Sequence, residues 1–142
     1  MLSIPHMDKI LHLDYLRFSF GSCFGPKSMV TLGGNNVVFC TDLLYNAGNE
    51  KKKEVSNESK EVLISELNDL KVLNWDREYF NPSILDGEEW DLELVYNDGK
   101  KKLINGYNLY PGSQPDSTEK TPEFIKLLNA LNNLINAPGF FF

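Results

Sequence analysis

The chain is poor in the residues from which most small reactive sites are built. Its 142 residues include two cysteines, Cys23 and Cys40, and two histidines, His6 and His12. Two cysteines in a chain of this length do not make a secreted disulfide framework, so a reducing, cytoplasmic setting is expected. Positive charge is also scarce: 14 Lys and Arg against 20 Asp and Glu give a formal net charge of −6. Phosphate affinity rests on Lys and Arg displacing counterions, so direct binding of duplex nucleic acid is not expected. No run approaches the roughly 18 apolar residues of a membrane helix. The N-terminal segment, with Asp8, Lys9 and Asp14 among its apolar residues, lacks the form of a signal peptide.

What is present is an alternating pattern. Trp90, Leu92, Leu94 and Tyr96 alternate with Asp91, Glu93 and Val95, and Asn97-Asp98-Gly99 follows. This is a strand with one apolar and one largely charged face, ending in a hairpin turn, at a sheet edge or in a half-exposed sheet. Lys101 to Gly106 is its hairpin partner. Upstream, strands are expected over about 11–20, at Met29 to Leu32 and from Val37 towards Tyr45, separated by the turns Gly21 to Pro26 and Gly33 to Asn36. The polar stretch 46–57 reads as an exposed loop, and 75–80 carries no assignable pattern.

Two helices complete the inventory. Leu63, Leu67 and Leu70, with Val62 and Ile64, form a helical stripe over about 59–70. Thr121-Pro122-Glu123 supplies a capping hydroxyl, a first-turn proline and an acid near the positive helix end, ahead of Phe124, Leu127, Leu128, Leu131, Leu134 and Ile135. Short turns between strands imply antiparallel pairing. The expected fold is one α+β domain over 1–142: about five antiparallel strands, two amphipathic helices on one face, and a suspected duplication of strands followed by a helix.

Trp75 and Tyr79, then Asp86-Gly87-x-x-Trp90, then Gly106-x-Asn108-x-Tyr110-Pro111 before a leucine-rich helix form a recognisable order. It resembles small uncharacterised bacterial proteins with a W…DGxxW…GxNxYP pattern and a C-terminal helix. The resemblance covers the second half of the chain. It implies fold markers, namely turn glycines, core tryptophans and a strand-ending proline, and no activity.

Several chemistries can be weighed on these residues. Gly21 to Ser28 has the outline of a phosphate-binding loop, but Pro26 removes a backbone donor, and Gly33-Gly34 follows before a helix could form. Gly21-x-Cys23-x-Gly25 has the outline of a nucleophile elbow, which demands a strand-to-helix turn and a nearby base; a buried, inert cysteine in a turn is the stronger reading. His6, His12, Cys23 and Cys40 lack the paired spacing of a zinc site, so no metal or cofactor is expected. The carboxylates around Trp90 lack the desolvation that separates a catalytic acid from a base.

The leading expectation is therefore a non-enzymatic binding protein of the inhibitor or immunity type. Asp86, Glu88, Glu89, Asp91 and Glu93 would dock a larger protein with a basic or nucleic-acid-binding surface. The competing reading makes these acids guards against strand-edge pairing. The alternative function is a small-molecule or nucleotide pocket between sheet and helices, lined by Trp75, Tyr79, Tyr107 and Tyr110; a Cys23 thiol enzyme is a remote third. Phe140-Phe141-Phe142 would form an apolar patch in water, so these rings should pack on the core, on a partner or on a second copy in a homodimer.

Overall fold

The computed structural model describes residues 9–23, 25–41, 50–81, 87–113, 117 and 119–141. Among the described residues seven strands appear where about five were expected: β1 (Leu13–Ser22), β2 (Lys27–Gly33), β3 (Asn36–Cys40), β4 (Glu50–Glu54), β5 (Glu78–Phe80), β6 (Glu88–Tyr96) and β7 (Lys100–Tyr107). Two helices, α1 (Asn57–Asp69) and α2 (Pro122–Ile135), accompany them. All seven strands join one sheet in the order β4-β3-β2-β1-β6-β7-β5. Every neighbouring pair is antiparallel except β5 and β7, which run parallel.

The two strands absent from the sequence reading form the two edges. Residues 50–54, expected as loop, pair with β3 as Glu-Lys-Lys-Lys-Glu. Lysines are a common way to keep a sheet edge from recruiting another chain, and here they sit on one. Lys53 also donates through Nζ to the carbonyl of Ile135, 3.1 Å away, at the negative end of α2. The other edge, β5, is three residues long, too short for a periodicity to show. The extension of β3 towards Tyr45 stops at Cys40, and 42–49 lie outside the described residues.

Alternation governs the thickness of the molecule. Leu16, Phe18, Val30, Leu32, Val37, Leu92, Leu94 and Ile104 are fully buried on one face, in a single core with Leu63 and Leu67 of α1 and Phe124, Leu127 and Leu131 of α2. Helix α2 starts as expected, whereas α1 starts at Asn57, inside the stretch expected as loop and ahead of the expected start near Ser59. Ser56 Oγ accepts the Ser59 N–H at 3.0 Å, and Thr121 Oγ1 accepts the Phe124 N–H at 3.2 Å. The tail returns to the same core. Phe141 meets Phe18 edge-on at 5.0 Å and Phe140 meets Phe39 at 5.4 Å, while the buried Asn132 amide bonds both backbone groups of Phe141. Phe141 is therefore buried in the protein's own core and Phe140 packs against it partly buried; Phe142 lies outside the described residues. The order of strands followed by a helix does occur twice, but only the second set contains a parallel edge strand.

Trp90 sets the geometry of the second half. Its indole lies directly on Gly106, its partner on β7, so that a Cβ there would overlap the ring. The indole N–H donates to the carbonyl of Leu109 at 3.0 Å. Gly87 leaves comparable room for the side chain of Asn108, whose Oδ1 accepts the Glu88 N–H at 2.9 Å. The carbonyl of Pro111 accepts from the hydroxyl of Thr121 at 2.6 Å, which ties this turn to the cap of α2. The glycines, tryptophan, asparagine and proline of the DGxxW…GxNxYP order thus form one contact unit.

Substituting Gly106→Ala should cost about 1–3 kcal/mol by overpacking. Gly33→Ala, where an added methyl meets nothing, should change stability by less than about 0.5 kcal/mol. Urea denaturation of both variants checks the contrast. In a Trp90→Leu background the Gly106→Ala penalty should shrink, because the two residues share one volume.

Candidate functional site

β6 is not an edge. It lies between β1 and β7, paired on both sides along most of its length. Guarding an exposed strand edge therefore does not explain its carboxylates. Trp90, Leu92, Leu94 and Tyr96 are buried, so Glu89, Asp91 and Glu93 project from the opposite face, each half-exposed and roughly 6–7 Å from the next. The helices pack on the other side of the sheet, so no described helix covers this face, although Ser19 and Cys40 on it are buried. Glu88 departs from the expected group: it lies on the Trp90 side, where its Oε1 accepts from the Tyr110 hydroxyl at 3.3 Å and Lys120 Nζ stands 3.8 Å away. Asp86 lies outside the described residues.

Neighbouring strands hold the acids in place. Ser19, opposite Asp91 on β1, donates its hydroxyl to Asp91 Oδ2 at 2.7 Å. Lys27 Nζ sits 2.7 Å from Glu89 Oε2. That bond holds the Glu89 carboxyl below the ordinary glutamate range; burial opposes the shift, and the Cys23 thiol adds to it. Arg17 is the cross-strand neighbour of Glu93.

The aromatic set divides between the two faces. Trp75, Tyr79 and Phe124 surround Trp90 at ring distances of 6.5, 5.8 and 4.9 Å, and Tyr110 contacts Phe124 at 4.6 Å. Their polar tips are engaged within the fold: Trp75 donates to the Leu70 carbonyl at 3.1 Å, and the Tyr79 hydroxyl accepts the Asp76 N–H at 2.9 Å. Burial pushes the Tyr110 phenol far above its usual range, reinforced by Glu88, and pushes Tyr79 upward as well. These three rings are core packing around Trp90. Tyr107 lies on the open face instead, in register with Glu89 and Phe80.

That register creates a cleft the sequence did not announce. It has a volume of about 440 Å³ and is bordered by Glu78, Phe80, Glu89, Asp91, Asn105 and Tyr107, with Tyr79, Trp90 and Gly106 completing it. Phe80 is 62% exposed, and its ring stands 5.3 Å from that of Tyr107. Glu78, Phe80 and Asn105 escaped notice because β5 carries only three residues and because its neighbour, β7, is distant in the chain.

The remaining candidates resolve simply. Gly21 to Ser28 joins the end of β1 to β2 as a hairpin, with no helix behind it, so neither a phosphate-binding loop nor a nucleophile elbow is formed. Burial raises the Cys23 thiol pKa, and the Glu89 carboxylate raises it further, against smaller opposing effects from Gly87 and Tyr107. His12 precedes β1 and Cys23 follows it, so the length of that strand separates them by roughly 30 Å. His6 lies outside the described residues, and Cys40 is buried opposite Met29. Among the described residues no three His, Cys, Asp or Glu side chains are grouped to hold a metal ion. Nor is any described helix long and apolar enough to cross a membrane. The comparisons with known proteins find no matching family model, no matching curated protein and no matching solved structure.

Two solution measurements test this geometry. Because the Glu89 carboxyl titrates lower in the folded protein, its stabilising contribution is complete above the ordinary glutamate value and fades as pH falls through the lowered one. The side chain is 40% exposed, so that contribution should stay below about 1 kcal/mol. In Lys27→Met, carboxyl-detected NMR should show Glu89 titrating higher and a smaller loss of stability in acid. In a Cys40→Ser background, Glu89→Gln should speed alkylation of Cys23 at neutral pH, since removing the carboxylate raises the thiolate fraction.

Proposed function

We propose that this protein is a small acidic, non-enzymatic binding protein of the inhibitor or immunity type. It engages a larger protein that has a basic surface through the open face of the sheet. The observation carrying this reading is that Glu89, Asp91 and Glu93 lie on an interior strand, on the sheet face that no described helix covers, where no edge needs protection. Ser19 and Lys27 orient two of the three carboxylates, which lowers the cost of presenting them to a partner. A row of fixed negative charge steers a basic surface into contact and sets the register of the complex. Where a partner uses such a basic surface for nucleic acid, the acids stand where phosphates would. The resemblance to small bacterial proteins with the W…DGxxW…GxNxYP order fits this scale of protein, and two unpaired cysteines suit the cytoplasm.

Charge reversal is the direct test. The Asp91→Lys, Glu93→Lys double variant, verified as folded by circular dichroism, should lose at least about tenfold in affinity for the protein captured by the wild type, because like charges then face each other. Capture by mass spectrometry identifies the companion, and calorimetry at rising salt should show the wild-type affinity falling. Equal affinity of variant and wild type removes the proposed surface.

A further inference from the structure

We infer that the cleft beside β5 seats an arginine side chain of that basic partner, an inference that rests on the protein-binding reading above. Two cross-strand rows define the seat. In the first, Asp91, Asn105 and Glu78 lie side by side on β6, β7 and β5; in the next, Glu89, Tyr107 and Phe80 do so. Asn105 therefore has a carboxylate-bearing neighbour on either side, with backbones on the order of 10 Å apart across two strand spacings. A flat cation placed over Asn105 lies between both. Asp91 commits one oxygen to Ser19 and retains a second able to accept an incoming N–H, whereas Glu89 already bonds both Lys27 and the Cys23 thiol and contributes mainly its charge.

The rings decide which cation fits. Phe80 and Tyr107 form an aromatic wall along the cleft, and Phe80 is mostly exposed, although the core on the opposite face lies within one strand's thickness. A guanidinium suits such a place: it is planar, weakly hydrated, stacks on aromatic faces and presents several N–H donors to carboxylates. An ammonium is a compact, strongly hydrated charge that uses the rings less well. An apolar ligand would desolvate Glu78, Glu89 and Asp91 without compensation, and a phosphate would be repelled by them. The cleft volume of about 440 Å³ leaves room for the side chain with part of its own backbone.

The test is an amide-resolved NMR titration of the whole chain at low salt with three capped probes: tri-arginine, tri-lysine and tri-citrulline. Tri-arginine should shift the amides of Glu78, Phe80, Asn105 and Tyr107, and bind about threefold or more tighter than tri-lysine. Tri-citrulline, which keeps the shape without the charge, should not bind. Phe80→Ala changes an exposed ring, so it should fold normally; it should weaken tri-arginine by about 3- to 10-fold and abolish its advantage over tri-lysine. Equal affinities for the two cationic peptides, or shifts spread along Glu89, Asp91 and Glu93 and unaffected by Phe80→Ala, would overturn the arginine seat while leaving the acidic docking face intact. Absence of binding by either cationic peptide would also overturn the seat, and the charge-reversal experiment then judges the wider reading by itself.

Discussion

The contact between the Trp90 indole and Gly106 is the constraint on which the second half of the molecule depends. A large flat ring can lie against a strand only where that strand carries no side chain, and β7 supplies the gap opposite Trp90. With the ring seated, its N–H reaches the Leu109 carbonyl and fixes the chain leaving β7. That exit delivers Tyr110 and Pro111 to the start of α2, where Phe124 closes over the indole. Trp75 and Tyr79 pack against the same ring and hold β5 at the edge. One side chain thus sets strand register, helix position and the location of the edge strand.

The same contact determines where a site can exist. Trp90 packs between sheet and helices with Tyr110 buried beside it and Trp75 and Tyr79 partly buried against the same core. The surface proposed for binding lies on the other face, where β-sheet alternation presents every second residue without needing to bury it. On that face the acids of β6 are positioned by β1 and β2, and the cleft is completed by β5 and β7. A surface built from residues so far apart in sequence holds its shape only because the core behind it does.

Edges and centre take different charges for different reasons. The lysines of β4 occupy an edge, where a row of unpaired backbone groups would otherwise invite another strand. The acids of β6 occupy the centre, where backbone groups are already paired and charge serves no such purpose. The separation is partial: Lys27 and Arg17 lie beside the acidic row, Lys100, Lys101 and Lys102 pair with the far end of β6, and Glu50 and Glu54 flank the lysines of β4.

The sequence by itself determined the elements whose signals are local. The β6–β7 hairpin, the stripe of α1, the Thr121-Pro122-Glu123 start of α2 and the inward path of Trp90, Leu92 and Leu94 were all legible, since periodicity and capping act within a few residues. Strand neighbours were not legible, because pairing is settled by which faces pack together across the whole chain. That is why β4 read as a loop, β5 carried no reading, β6 could be mistaken for an edge, and Glu88 was grouped with acids that lie on the other side. Tertiary structure alone decided that Glu78, Phe80, Asn105 and Tyr107 meet Glu89 and Asp91: the parallel docking of a three-residue strand depends on the ring packed behind it, and no local pattern encodes that contact.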